Sequence, residues 1–164
     1  MKIIFSNNMP LLHIFTIIEF FLFATIYYIY FSNHQLAKRM IAISSFLFLL
    51  SAVLDATYFN GFWRSNTISH SVESIILVMF SLLYFFSFFK EISEEEVWKK
   101  SMFWLSSGVV IYFSINIFLF MLANYLLKKN YNLVDQGYNM HAFINIFVNI
   151  IFAISFICLR KKTP

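Results

Sequence analysis

Three acids, Glu19, Asp55 and Glu73, fall within or at the edge of long apolar runs, and three histidines, His13, His70 and His141, fall near the ends of such runs. Imidazoles beside carboxylates can hold a transition metal, bind an anionic headgroup when protonated, or pass protons. An ionised carboxylate facing hydrocarbon costs at least a few kcal/mol, so Glu19, mid-way along its run, must face protein or water or carry a proton. Asp55, Arg64, His70 and Glu73 lie close enough in sequence to converge, either as an interhelical ion-pair and hydrogen-bond cluster that fixes packing or as a ligand or ion site. The reading gives His13, Glu19, Asp55, His70, Glu73 and His141 as a candidate ligand or ion pocket, with Glu19 at its floor. A metal is not expected there, and no cofactor is implied. H-x-x-x-H and H-E-x-x-H spacings, the local geometry that makes metal-hydrolase motifs specific, do not occur.

Amides and hydroxyls form a second pattern. His141, Asn145 and Asn149 recur every four residues, hence on one helix face, and Ser44, Ser51 and Asp55 draw a comparable stripe. Asn116 lies between Ser107 and the end of its run, with Ser114 beside it. Such groups seek partners on neighbouring helices, each bond contributing about 0.6 kcal/mol. Ser51, Asn116, Asn145 and Asn149 are therefore expected along polar helix seams, with the lining of a polar path as the alternative.

The elements that must carry these residues are five apolar runs, 9–31, 40–59, 71–89, 101–127 and 140–159. Each is near or above the roughly 20 residues that a helix needs to cross hydrocarbon. Of the 164 residues 60% are hydrophobic and only 12% charged, and the mean hydropathy is +0.74, far above that of ordinary water-soluble domains. Helix is the open-ended form in which a spanning segment pairs every backbone group. The expected fold class is all-α, a polytopic transmembrane helical bundle of about five spans, in one domain. Pro10 suits the first turn of a helix, and Asn60-Gly61 and Gly137 are breakers where the chain is expected to reverse. Three glycines against 23 phenylalanines leave little material for close backbone contacts between helices.

The most polar connection is 90–100, where Glu91, Glu94, Glu95 and Glu96 are followed by Lys99 and Lys100; it is the candidate internal contact surface, and Ile92, Val97 and Trp98 would let part of it lie along the interface, although a solvated linker with an aromatic anchor is the favoured reading. Lysine and arginine counts set the orientation. Lys2, Arg64, Lys128 and Lys129 fall on one side, and Lys38, Arg39, Lys90, Lys99, Lys100, Arg160, Lys161 and Lys162 on the other. Eight against four places the second set inside, giving an external N-terminus and a cytoplasmic C-terminus in the cell membrane. Lys2 alone before the first run, with no small-residue cleavage site after it, argues that this span is retained.

Basic residues in short clusters at run ends form no phosphate-binding stripe, so no nucleic-acid partner is expected. Phosphate loops, nucleophile elbows and cysteine pairs are missing as sequence motifs. Cys158, the single thiol, excludes an intrachain disulfide and is expected to be buried and inert.

The stretch from Glu73 through Phe89 to Lys90-Glu91, the segment FWLSSGVVIYFSINIF from Phe103, and HAFINIFVNIIFAISFIC from His141 to Cys158 together resemble uncharacterised small bacterial multi-span membrane proteins. Some of those belong with sensory or two-component systems. The resemblance covers the C-terminal half and implies a membrane sensory or accessory module, with no catalytic residue to carry over. The leading expectation is a non-enzymatic module that acts through lipid, a membrane-protein partner or a second copy of itself. A small oligomeric transporter or channel is the alternative, and a membrane enzyme acting on a lipid-linked substrate a further one.

Overall fold

The computed structural model describes residues 9–59, 66–90, 97–126 and 131–160, excluding the side chains of 9, 59, 67, 120–126 and 131–141. The chain is all-α, with the fold class of a polytopic transmembrane helical bundle. Its helices are α1 (Met9–Tyr30), α2 (Gln35–Leu54), α3 (Thr67–Lys90), α4 (Ser101–Leu126) and α5 (Tyr131–Arg160). A π-helical turn, Asp55–Phe59, continues α2, and a 3₁₀ turn, Val97–Lys99, precedes α4. All five helices contain a stretch long and apolar enough to cross a membrane: Pro10–Tyr30, Gln35–Tyr58, Ile68–Lys90, Ser101–Leu119 and Ala142–Arg160. Within those stretches burial runs from 17% on the fifth to 39% on the third, so large apolar side chains such as Phe46, Phe86, Phe143 and Phe156 are left facing outward, as lipid-exposed surfaces require.

Two helix starts differ from the apolar runs. α3 begins at Thr67, ahead of the run, because Asn66 opens it: the Asn66 carbonyl accepts the His70 N–H at 3.0 Å. α5 begins at Tyr131, so Gly137 lies inside the helix, where a chain reversal was expected. A glycine costs a helix only about 1 kcal/mol, too little to break a long one. Asn60 and Gly61 lie outside the described residues.

The chain divides into two compact units, 1–77 and 78–164. In the first, Phe20 of α1 stacks on Phe48 of α2 with ring centroids 4.0 Å apart, both wholly buried. The α1–α2 connection is tight: Phe31 and His34 N–H groups bond back to the Tyr27 and Phe31 carbonyls, and His34 accepts from Lys38 N–H to start α2. The Lys38 ammonium sits 4.5 Å from the centre of the Tyr28 ring.

In the second unit α4 lies along α5. Val109, Phe113 and Val148 are wholly or almost wholly buried. Gly108 lies against Phe152 so closely that an added Cβ would meet the ring Cε1 at 2.6 Å. Few as the glycines are, one of them does supply a close helix contact. At one end, Ser155 Oγ donates to the Ser101 carbonyl at 2.9 Å, and Trp104 Nε1 donates to the Trp98 carbonyl at 2.9 Å. Cys158 Sγ donates to that same carbonyl at 3.6 Å and is half-buried, more open than expected.

Candidate functional site

The polar residues of unit 1 come from three segments. On α1, His13, Thr16 and Glu19 follow at steps of three, with Phe20 completing the inward face. At the end of α2, the π-helical turn begins at Asp55, whose own N–H is shared between the Ser51 and Ala52 carbonyls. On α3 the inward face runs through Ser69, Glu73, Ser74 and Leu77, all almost completely buried, with Asn66 leading into it.

Asp55 is wholly buried, and its Oδ2 accepts from both the Ser69 N–H (2.9 Å) and the Ser69 Oγ (2.6 Å). It therefore serves the open N-terminal turn of α3 as a carboxylate cap supplied by another element. Asn66 Nδ2 donates to Thr16 Oγ1 at 2.6 Å and to the Leu12 carbonyl at 3.2 Å, fastening the start of α3 to α1.

One turn further along α3, His70 Nδ1 and Glu73 Oε2 share a hydrogen bond of 2.8 Å. Glu73 is wholly buried, and its other oxygen, Oε1, has no hydrogen-bond partner among the described residues. Glu19 is within electrostatic range of both Glu73 and His70. The structure thus joins His70 to Glu73 and sets Glu19 within electrostatic range of both. It bonds Asp55 to Ser69, the residue before His70, and buries His13 on α1. The side chain of His141, and Arg64, lie outside the described residues.

The remaining polar candidates lie elsewhere. Ser51 Oγ donates to the Phe48 carbonyl of its own helix at 2.7 Å. In unit 2 Asn116 is buried, with Nδ2 unpartnered among the described residues, Asn145 is half-buried and Asn149 is exposed. Lys99 is exposed, and the Lys100 ammonium sits 5.1 Å from the Phe88 ring centre. Glu91, Glu94, Glu95 and Glu96 lie outside the described residues.

Sequence reasoning passed over Thr16, Asn66 and Ser69. Asn66 and Thr67 ahead of an apolar run are a helix-start signal that would have brought α3 forward and placed Ser69 in its first turn. Thr16 carries no such signal. Among the described residues no group of three or more histidines, cysteines, aspartates or glutamates is arranged to hold a metal ion. Comparison of the chain with family models, curated proteins and solved structures yields no match.

Proposed function

We propose that this chain is a membrane-embedded sensory or accessory module that catalyses no reaction, holding a small ligand at Glu19, His70 and Glu73 and acting through a membrane-protein partner. The observation that carries this reading is Glu73, a carboxylate wholly buried inside an apolar helix with one oxygen on His70 and the other unpartnered among the described residues. Hydrocarbon penalises such a group, and an intramembrane acid of this kind is a functional candidate by default. Binding is favoured over nucleophilic chemistry by where the neighbouring hydroxyls point. Ser69 Oγ donates to Asp55, Ser74 Oγ to the His70 carbonyl and Thr16 Oγ1 to the Leu12 carbonyl, so each hydroxyl proton is already committed away from the imidazole.

In this reading the N-terminus is external and the C-terminus cytoplasmic, by the lysine and arginine bias. Output leaves at the cytoplasmic ends, through the 90–100 connection. Proximity crosslinking in native membranes tests it. A protein neighbour or a second copy is the expected capture, and recovery of lipid alone contradicts the proposal. Solute flux into proteoliposomes that disappears in Glu19→Gln with Asp55→Asn would replace it with transport.

A further inference from the structure

The three groups that meet in unit 1 do not balance. Two carboxylates, Glu19 and Glu73, share one imidazole, His70, which is bonded to Glu73 Oε2 and leaves Oε1 with no donor among the described residues. An ionised carboxylate only accepts hydrogen bonds, so a buried oxygen without a donor is the costly arrangement. No other titratable group among the described residues bonds Glu73 Oε1. Asp55, on the π-helical turn, is a third acid and already takes two hydrogen bonds from Ser69. His13 lies on α1 nearly two turns before Glu19. Lys38 and Arg39 stand at the opposite end of α2 from Asp55, about 24 Å away along the helix at 1.5 Å per residue. The described side chains are not arranged to hold a metal. A proton needs no coordination shell and no cavity, and once on the carboxyl it removes the charge whose burial is the larger cost.

We propose that Glu19, His70 and Glu73 form a single proton-binding site, with the proton held at Oε1 of Glu73 and exchanged with Glu19. That this proton is the signal rests on the sensory reading; that the site binds one does not. Ionisable groups that interact strongly titrate with values that belong to the coupled set and not to one residue.

The test uses the purified full-length protein in lipid nanodiscs, without a partner, so its failure is distinct from failure to find a partner. Dicyclohexylcarbodiimide adds the O–H of a protonated carboxyl across one of its C=N bonds and rearranges to a stable acylurea, which peptide mass spectrometry locates. One label per chain is expected, on Glu73 or Glu19, fading through one transition as pH rises. Glu19→Gln removes a neighbouring charge and should move the Glu73 midpoint. His70→Gln should move it too. A Glu73 label with the same midpoint in wild type, Glu19→Gln and His70→Gln overturns the proposal, as does no label on either acid at any pH. Should the variants not fold, infrared difference spectra of the wild type between about pH 6, where ordinary carboxylates are already ionised, and alkaline pH decide the matter. Loss of one carboxyl carbonyl band per chain supports a shared proton, and two independent losses refute it.

Discussion

Asp55 and Glu73 are both wholly buried acids of unit 1, yet their surroundings set them to different tasks. Asp55 takes a main-chain N–H and a hydroxyl from Ser69, and so closes the first turn of α3. Removing it leaves that N–H and O–H without their acceptor, a loss of about 1–3 kcal/mol. Asp55→Ala should therefore lower the unfolding midpoint of the purified protein in a mixed-micelle denaturant titration by more than Ser69→Ala, which leaves the main-chain bond in place. An equal loss in the two variants would contradict the capping role. Glu73 keeps one oxygen unpartnered among the described residues, and under the proposed function its replacement bears on binding more than on folding. Both acids were legible in the sequence, because a carboxylate in an apolar run is conspicuous by its cost. Asn66 and Ser69 were legible only through the helix-start signal at Asn66-Thr67, and Thr16 not at all, since hydroxyls occur everywhere and only the fold selects the ones that meet.

At the scale of the element, apolar length identified all five helices, while their ends depended on capping. Asn66 extends α3 forward of its run, and α5 includes Gly137, because hydropathy reports which part of a helix meets lipid and not where its hydrogen bonds begin. The α4–α5 contact was hidden for a related reason. A single Gly108 suffices where it faces Phe152, and composition cannot say which residue faces which. Gly108→Ala should force the Phe152 ring aside and destabilise the protein by about 1–3 kcal/mol. Because the shortest approaches are to the Phe152 ring, with Ile151 Cγ2 next at 3.3 Å, Gly108→Ala should cost less in a Phe152→Ala background, and a strictly additive double variant would contradict the contact. The 3₁₀ turn carries an exposed Trp98 whose carbonyl is fixed by Trp104 and Cys158, with the Lys100 ammonium over Phe88. Tryptophan and lysine with apolar stems settle at the headgroup level. With Trp63 and Trp104 replaced by phenylalanine, Trp98 fluorescence should be quenched more by lipids brominated near the headgroup than by lipids brominated near the chain ends; the reverse order would place this turn elsewhere.

For the whole molecule, the all-α membrane architecture followed from hydropathy because the lipid solvent leaves an apolar chain few alternatives. The proposed role did not, since the reading rests on how a few polar groups meet. The proposed orientation places the 31–34 turn and the 97–100 segment in the cytoplasm. With Cys158 replaced by serine, Ser32→Cys or Lys99→Cys should react with a membrane-impermeant maleimide in inside-out vesicles and stay unlabelled in intact cells, and labelling of intact cells would invert the topology. The central claim is that a buried acid–imidazole cluster sets how this module engages its partner. It is tested most directly by the yield of the partner crosslink in native membranes as pH is varied, in wild type and in Glu73→Gln. The account predicts a yield that changes with pH in wild type and is flat in Glu73→Gln. A yield independent of pH in wild type, or a pH dependence that survives in Glu73→Gln, would contradict it.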